Sequence, residues 1–202
     1  MDLRGSKIKI SRRLGVPITR KSIRFMERRP NPPGQHGANA GRKLSDYGKQ
    51  LMEKQKLRAQ YNISEKQMRI GLEDAVSKKG SSIDNLVRYF EVRLDAVVYR
   101  SGFAKSIFAA RQFVSHCHVL VNDKKVNIPS YRIKVGDTVS IRPVSRTIPI
   151  LADLAKLTDA PTTPDYLTVD LKSYTCILKY LPTRDEVPVE CNVQSVIEFY
   201  SR

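Results

Sequence analysis

No run of the roughly 18 to 20 apolar residues needed to cross a bilayer occurs in this 202-residue chain. Its opening stretch, MDLRGSKIKISRRLG, lacks the apolar core of a secretory signal, so neither a membrane span nor export is expected and the expected setting is intracellular. Cysteine is scarce. Cys117, Cys176 and Cys191 are odd in number and far apart, which excludes a disulfide framework and suits a reducing compartment. Three common signatures of catalysis and cofactor binding are also missing: there is no G-x-x-x-x-G-K-[ST], no G-x-G-x-x-G and no H-E-x-x-H. Acidic residues are thin where basic ones are dense. Residues 1–60 carry 16 basic and 4 acidic side chains, 61–145 carry 14 and 8, and 146–202 carry 6 and 8.

Lys and Arg total 36 against 20 Asp and Glu, a net charge of +16, so the default partner is a polyanion and nucleic acid is the first candidate. The uneven distribution assigns that partner to the first two thirds. The last third reads as scaffold or a protein-facing surface. A hydrophobic content of 41% is enough for small packed cores in one or two domains.

Residues 1–44 show no sustained periodicity and read as an irregular basic arm, with Arg12 and Arg13 near its start and Arg42 and Lys43 at its end. Pro30, Pro32, Pro33, Gly34 and Gly37 favour polyproline-II and turns, so no helix is expected there. Such an arm repels itself and becomes ordered when phosphates neutralise it; the blander reading is a solvated basic tail.

From Ser45 the pattern turns helical. SDYGKQLMEKQKLRAQY has a capping serine and an early acid. In SEKQMRIGLEDAVSKKG, Ser64 and Gln67 form a capping box and Met68, Leu72, Ala75 and Val76 mark a buried stripe. A third helix over 84–100 places Phe90, Leu94, Val97 and Val98 on one face and stops at Gly102, and a short fourth follows over 106–116. The period then falls to two: HVLVNDKKVNI reads as a hairpin turning at Asn122-Asp123, and YRIKVGDTVSIRP repeats the alternation around Gly136-Asp137. TIPILADLAKL is expected to be helical, DYLTVDLKSYTCILKYLP to hold two strands, and NVQSVIEFYSR to close the chain as an amphipathic helix.

His116, Cys117 and His118 are the only cluster of soft ligands. A closed zinc site takes about four ligands, usually as two spaced pairs, whereas these three are consecutive and no second pair exists. A Cys/His nucleophile needs an oxyanion hole, and Cys117 falls near a helix C-terminus, where the dipole opposes a thiolate. No metal, cofactor or small-molecule substrate is expected. What the stretch offers is a polar and basic edge: Lys105, Arg111, Gln112, Ser115, His116 and His118, then Asn122, Lys124 and Lys125 at the hairpin tip. Donors on successive helical turns and an adjoining loop match phosphate spacing in folded RNA, although any single lysine is more often a solvated surface residue.

Arg93, Leu94, Asp95, Gly102, Phe103, Ala104, Ser106, Ala110, Arg111, Val121 and Asn122 fit the pattern of the S-four RNA-binding domain, which 93–145 resembles. PPGQHG, KLSDYGKQLMEKQKLRAQY and the terminal VIEFYSR extend the likeness, which is to the S-four family of small-subunit ribosomal proteins of bacteria and organelles. The resemblance implies an α+β fold: a basic irregular N-terminal arm (1–44), an all-helical domain (45–92, joined by the C-terminal helix 191–202), and an inserted RNA-binding domain (93–190) of a helix pair and a small antiparallel sheet. It implies a non-enzymatic rRNA-binding component that recognises the 5′ domain of small-subunit rRNA, nucleates assembly and lies near the mRNA entry. The implied protein neighbours are S-five and S-three, on ribosomes of the cytoplasm or of an organelle. The rRNA-binding role falls on Arg93, Arg100, Lys105, Arg111, Gln112, Ser115, His116, Asn122 and Lys124, the mRNA-side patch on Arg42 and Lys43, and first-helix contacts on Lys49, Lys54 and Arg58.

The chain departs from the family's pattern in two places. Cys117 stands where the family commonly has glycine, which points to a differently shaped corner. ANAGRK is less basic than the run often found there, and this weakens the case for strand separation at the mRNA entrance. The cysteines with which some members build an arm zinc knuckle are absent from 1–116. Two rivals remain: an RNA-modifying enzyme targeted by the same module, which would need a catalytic domain this chain does not display, and a free regulator that binds mRNA or RNA polymerase.

Overall fold

The computed structural model describes residues 5–37, 44–148 and 163–201. The expected helix at TIPILADLAKL and the patch at Arg42 and Lys43 lie essentially outside the described residues. Eight α-helices and one five-stranded antiparallel sheet, counted among the described residues, give an α+β chain of two compact units, residues 1–73 with 188–202, and residues 74–187.

The basic arm is not irregular. Helix α1 (Lys7–Leu14) and helix α2 (Arg20–Arg28) occupy it, and Ile10, Leu14, Val16 and Ile18 are buried. Each helix spans only two turns, and half of the buried residues sit in the connector, so a window long enough to reveal helical periodicity averages it away. Gly15 closes α1 at φ 73°, a left-handed value that glycine adopts freely. Ser11 ties the connector down: its hydroxyl donates to the Lys7 carbonyl and accepts from the Ile18 N–H. As expected, Arg29–Gly37 is not helical.

Helix α3 (Asp46–Tyr61) starts at Ser45, whose Oγ accepts from the Gly48 N–H at 3.2 Å. Helix α4 (Glu65–Ser77) starts with the reciprocal capping box read from the sequence: Gln67 N–H donates to Ser64 Oγ, and Ser64 N–H to Gln67 Oε1. Met68, Leu72 and Ala75 are buried, but Val76 is 57% exposed. At 100° per residue Val76 lies about 80° from Met68, on the flank of the stripe.

Helix α8 (Val193–Tyr200) packs on α3, burying Val193 and Val196. Glu53 accepts from the Asn192 N–H at 2.7 Å, and Gln60 exchanges two hydrogen bonds with the Glu190 backbone. Glu65 is the hub: Lys54 Nζ at 2.9 Å, Arg58 at 2.7 Å and the Tyr200 hydroxyl all donate to its carboxylate. Lys54 also sits 4.4 Å from the Phe199 ring centre, a cation–π contact.

The single helix expected over 84–100 is two helices, α5 (Ser82–Glu91) and α6 (Leu94–Arg100). No glycine or proline marks the break, because its cause is tertiary. The 129–133 loop takes over the backbone pairing: Leu94 and Asp95 N–H donate to the Tyr131 and Pro129 carbonyls, and Ile133 N–H donates to that of Val92. α5 belongs with the second unit rather than with the helices before it. Asp84 accepts from the Arg184 N–H, Arg88 donates to the Pro182 carbonyl, and Glu91 accepts from the Tyr166 hydroxyl.

Helix α7 (Ile107–Ser115) is capped by Ser106 and followed by β1 (Val119–Val121) and β2 (Lys124–Lys125), which turn at Asn122-Asp123 with φ 47° and 63°. Strands β3 (Thr138–Ile141), β4 (Leu167–Asp170) and β5 (Thr175–Leu178) complete a sheet of order β2-β1-β3-β5-β4. The alternation before Gly136 yields only an isolated bridge, Arg93 to Arg132. One face of the sheet is apolar: Val121, Val139 and Cys176 share a rung, and Val119 pairs with Ile141.

Burial alone would raise the pKa of Glu65, but the Tyr200 hydroxyl, Lys54 and Arg58 outweigh it and hold the carboxyl below its ordinary value of 4.5. A depressed carboxyl contributes stability that is present above the unfolded value and lost as pH falls through the folded one. Glu65→Gln should therefore cost about 1–3 kcal/mol at pH 7 in denaturant unfolding, after allowing for the partial exposure of the carboxylate. It should also weaken the loss of stability below pH 4.5. Wild-type stability and an unchanged acid limb in the variant would contradict this account of the hub.

Candidate nucleic-acid interface

The cations named from the sequence divide by environment. Arg93 is 4% exposed and grips Asp95 with two parallel bonds of 2.9 and 2.7 Å. Arg100 forks onto Glu91, which also accepts from the Tyr166 hydroxyl. Lys54 and Arg58 belong to the Glu65 hub, and Lys54 is 8% exposed. Arg12 spends its guanidinium on three carbonyls, those of Arg29, Asn31 and Pro32, and so folds the proline-rich segment back onto α1. Arg93, Arg100, Lys54 and Arg58 are thus engaged by carboxylates within their own units, whereas Arg12 is half-exposed and held by neutral carbonyls that leave its charge in place. Charges drawn out of water persist only when paired or hydrogen-bonded, which is what each has found.

The others reach solvent. Arg13 is exposed on α1, and Lys49 is exposed in a loose pair with Asp46 that solvent screens. In the second unit, Ile107, Ala110, Phe113 and Val114 face the core, so the opposite stripe of α7 presents Arg111, Gln112 and Ser115 with Phe108 half buried among them. Lys105 is exposed just before that helix. Lys124 and Lys125 are exposed at the hairpin tip opposite Val121 and Leu120. Asn122 is exposed as well, but its amide is engaged locally. Its amide donates to Asp137 at 2.8 Å and accepts from the Thr138 N–H at 2.9 Å, which fixes the turn that carries the lysines.

The His116-Cys117-His118 corner resolves as a helix terminus. Cys117 has φ 63°; its N–H donates to the Val114 carbonyl and that of His118 to the Phe113 carbonyl, the paired bonds of a Schellman motif. The corner therefore keeps the left-handed turn that a glycine makes without strain, and Cys117 adopts it at a cost. The reversal brings the His116 and His118 rings to 6.0 Å, and His118 Nδ1 lies 2.9 Å from Ser145 Oγ in the 3₁₀ turn Pro143–Thr147. Among the described residues no three His, Cys, Asp or Glu side chains gather as a metal-ligand set. Burial pushes the Cys176 thiol up to about 12, an inert core position.

Sequence reasoning missed Arg142. It follows β3, and its N–H donates to the His118 carbonyl at 2.9 Å, beside the exposed edge. Only the β1–β3 register, which pairs Val119 with Ile141, brings it there, and a register between distant strands has no local signal.

Residues 2–91 match the family model described as Ribosomal protein S4/S9 N-terminal domain, and residues 92–139 match the S4 domain. The chain is 46% identical over 199 residues to the small ribosomal subunit protein uS4 of Chlorobium phaeovibrioides, covering 98% of each chain. It is 47% identical over 199 residues to that of Leifsonia xyli, covering 97% of this chain and 96% of the relative. To that of Thermobifida fusca it is 43% identical over 203 residues, the full length of both. The chain belongs to the ribosomal protein S4 family. That family comprises structural components of the ribosome, without enzymatic activity. The S4-domain match takes in Lys105, Arg111, Gln112, Ser115, His116, Asn122, Lys124 and Lys125 but ends before Arg142.

Replacing Cys117 by glycine should stabilise the second unit by about 1 kcal/mol, since a left-handed residue costs an L side chain roughly 1–2 kcal/mol and glycine's extra unfolded-state entropy returns part of it. Cys117→Val should move the denaturation midpoint the other way. A glycine variant less stable than the wild type would contradict the Schellman assignment.

Proposed function

We propose that this chain is a primary rRNA-binding protein of the small ribosomal subunit, that it recognises a multi-helix junction in the 5′ domain of the rRNA and nucleates assembly there, and that it lies where mRNA enters. The observation that carries the reading is the sorting of cations within the S4-domain match. Arg93 and Arg100 are neutralised by Asp95 and Glu91, while Lys105, Gln112, Ser115, His116, Lys124 and Lys125 are exposed, with Arg111 half-exposed beside them. Spaced donors on a helix, a corner and a hairpin tip suit an RNA surface read through shape and phosphates rather than base edges. Arg13 and Lys49 add charge from the first unit, and Arg42 and Lys43 are the candidates for contact with mRNA. Neighbouring small-subunit proteins, S-five and S-three, are the proposed protein partners, with the least basic third of the chain as the protein-facing part.

Neutralising phosphates releases counterions, so affinity should fall steeply with salt. If about six phosphates are engaged, log K against log salt should slope by roughly −4 to −5. Footprinting on protein-free small-subunit rRNA with tRNA as competitor should show a discrete protected junction in the 5′ domain that survives the competitor. Diffuse protection abolished by tRNA, or a flat salt dependence, would overturn the proposal.

A further inference from the structure

We infer that His116, His118 and Arg142 form one phosphodiester-binding corner, and that its occupation by RNA takes up protons. The inference rests on the proposed RNA binding and adds to it a subsite and a proton linkage. Chain geometry builds the corner. The Schellman reversal at Cys117 brings the two imidazoles to 6.0 Å, and the β1–β3 register sets Arg142 against the His118 backbone. Ser145 Oγ at 2.9 Å from Nδ1 fixes the His118 ring and leaves Nε2 as the nitrogen for a ligand.

Each element packed at the corner supplies a basic or neutral group. His116 comes from the end of α7, Arg142 from the exit of β3 and Ser145 from the 3₁₀ turn, and the Phe113 ring stands edge-on to His118 at 6.0 Å. Among the described residues no carboxylate pairs with either imidazole. Burial first, and then the charges of His116 and Arg142, push the His118 pKa below the ordinary imidazole value of 6.5. An imidazole in that setting is neutral near pH 7 while the corner is empty. A phosphodiester supplies the missing anion and accepts from the imidazolium, so the bound state holds the proton more tightly than the free state. Linkage fixes the sign: where the complex binds more protons than its free components, affinity rises as pH falls, and it levels off below the free-state value.

The test uses the full chain and a 5′-domain fragment of protein-free rRNA, with affinity measured from pH 5.5 to 8 at constant ionic strength in the presence of tRNA. Wild-type protein is compared with the His116→Gln/His118→Asn double variant, in which the asparagine amide stands where Nδ1 does and can still bond to Ser145. His36→Gln, the remaining histidine, is the control. The wild type and the control should gain affinity on acidification, approaching about tenfold per pH unit for each proton taken up, and the double variant should lose most of that gain. Titration of the RNA itself is common to all three and cancels in the comparison. If the double variant does not fold by circular dichroism, the single variant His118→Asn carries the comparison. Competitor-resistant binding with the same pH slope in wild type and variants would overturn the proton linkage alone. Absence of competitor-resistant binding at every pH would overturn it together with the RNA-binding reading.

Discussion

Repulsion among 36 cations with only 20 acids to answer them is the constraint on which the rest of this structure depends. A chain so unbalanced folds only if the cations near its cores meet the few carboxylates that can be spared, and the remainder stay in water until a polyanion arrives. Three carboxylates do most of the inward work. Glu65 gathers Lys54, Arg58 and Tyr200; Glu91 gathers Arg100 and Tyr166; Asp95 takes Arg93. Each joins segments distant in sequence or braces a helix break, so the same pairs that remove charge also specify the fold. At Glu91 and Asp95 the desolvation incurred makes the pairs poor sources of net stability, but removing one partner leaves a buried charge, which is why they act as constraints on structure.

The outward set follows from the inward one. Once Arg93 and Arg100 are committed, the S4-domain surface keeps exposed polar and basic groups on the α7 stripe, the corner after it and the hairpin tip, with Arg132 and Lys134 exposed in the loop before β3. Asn122 shows how closely support and presentation are coupled: its own amide is used up holding the turn, and that turn carries Lys124 and Lys125. The apolar stripe of α7 does the same for Arg111, Gln112 and Ser115, since burying Ile107, Ala110 and Val114 leaves the opposite face only one place to point.

Much of this was legible in the sequence wherever the signal was local. The capping box at Ser64 and Gln67, the Asn122-Asp123 hairpin and the core face of α7 all follow from residue types at short spacing. The helix break at Val92–Arg93 was not legible, because its cause is hydrogen bonding from a loop some forty residues away and no breaker residue marks it. Helices α1 and α2 were hidden by their brevity and by the density of charge around four buried aliphatic residues. For the interface, the family pattern named Arg93 and Arg100 beside Lys105 and Lys124 without separating those that face inward. Residue type alone gives a cation no direction, and only the position of an acid partner in three dimensions does.

The central claim, that a few internal carboxylates sort these cations into internal braces and RNA contacts, is tested most directly by replacing Lys105, Lys124 and Lys125 together with alanine and measuring both the salt dependence of rRNA binding and the denaturation midpoint. The account predicts a slope of log K on log salt shallower by roughly 2–3, with the midpoint unchanged, because each lost phosphate contact removes about 0.7–0.9 from the slope. An unchanged slope, or a loss of folding stability as large as that caused by disrupting the Glu65 hub, would contradict it.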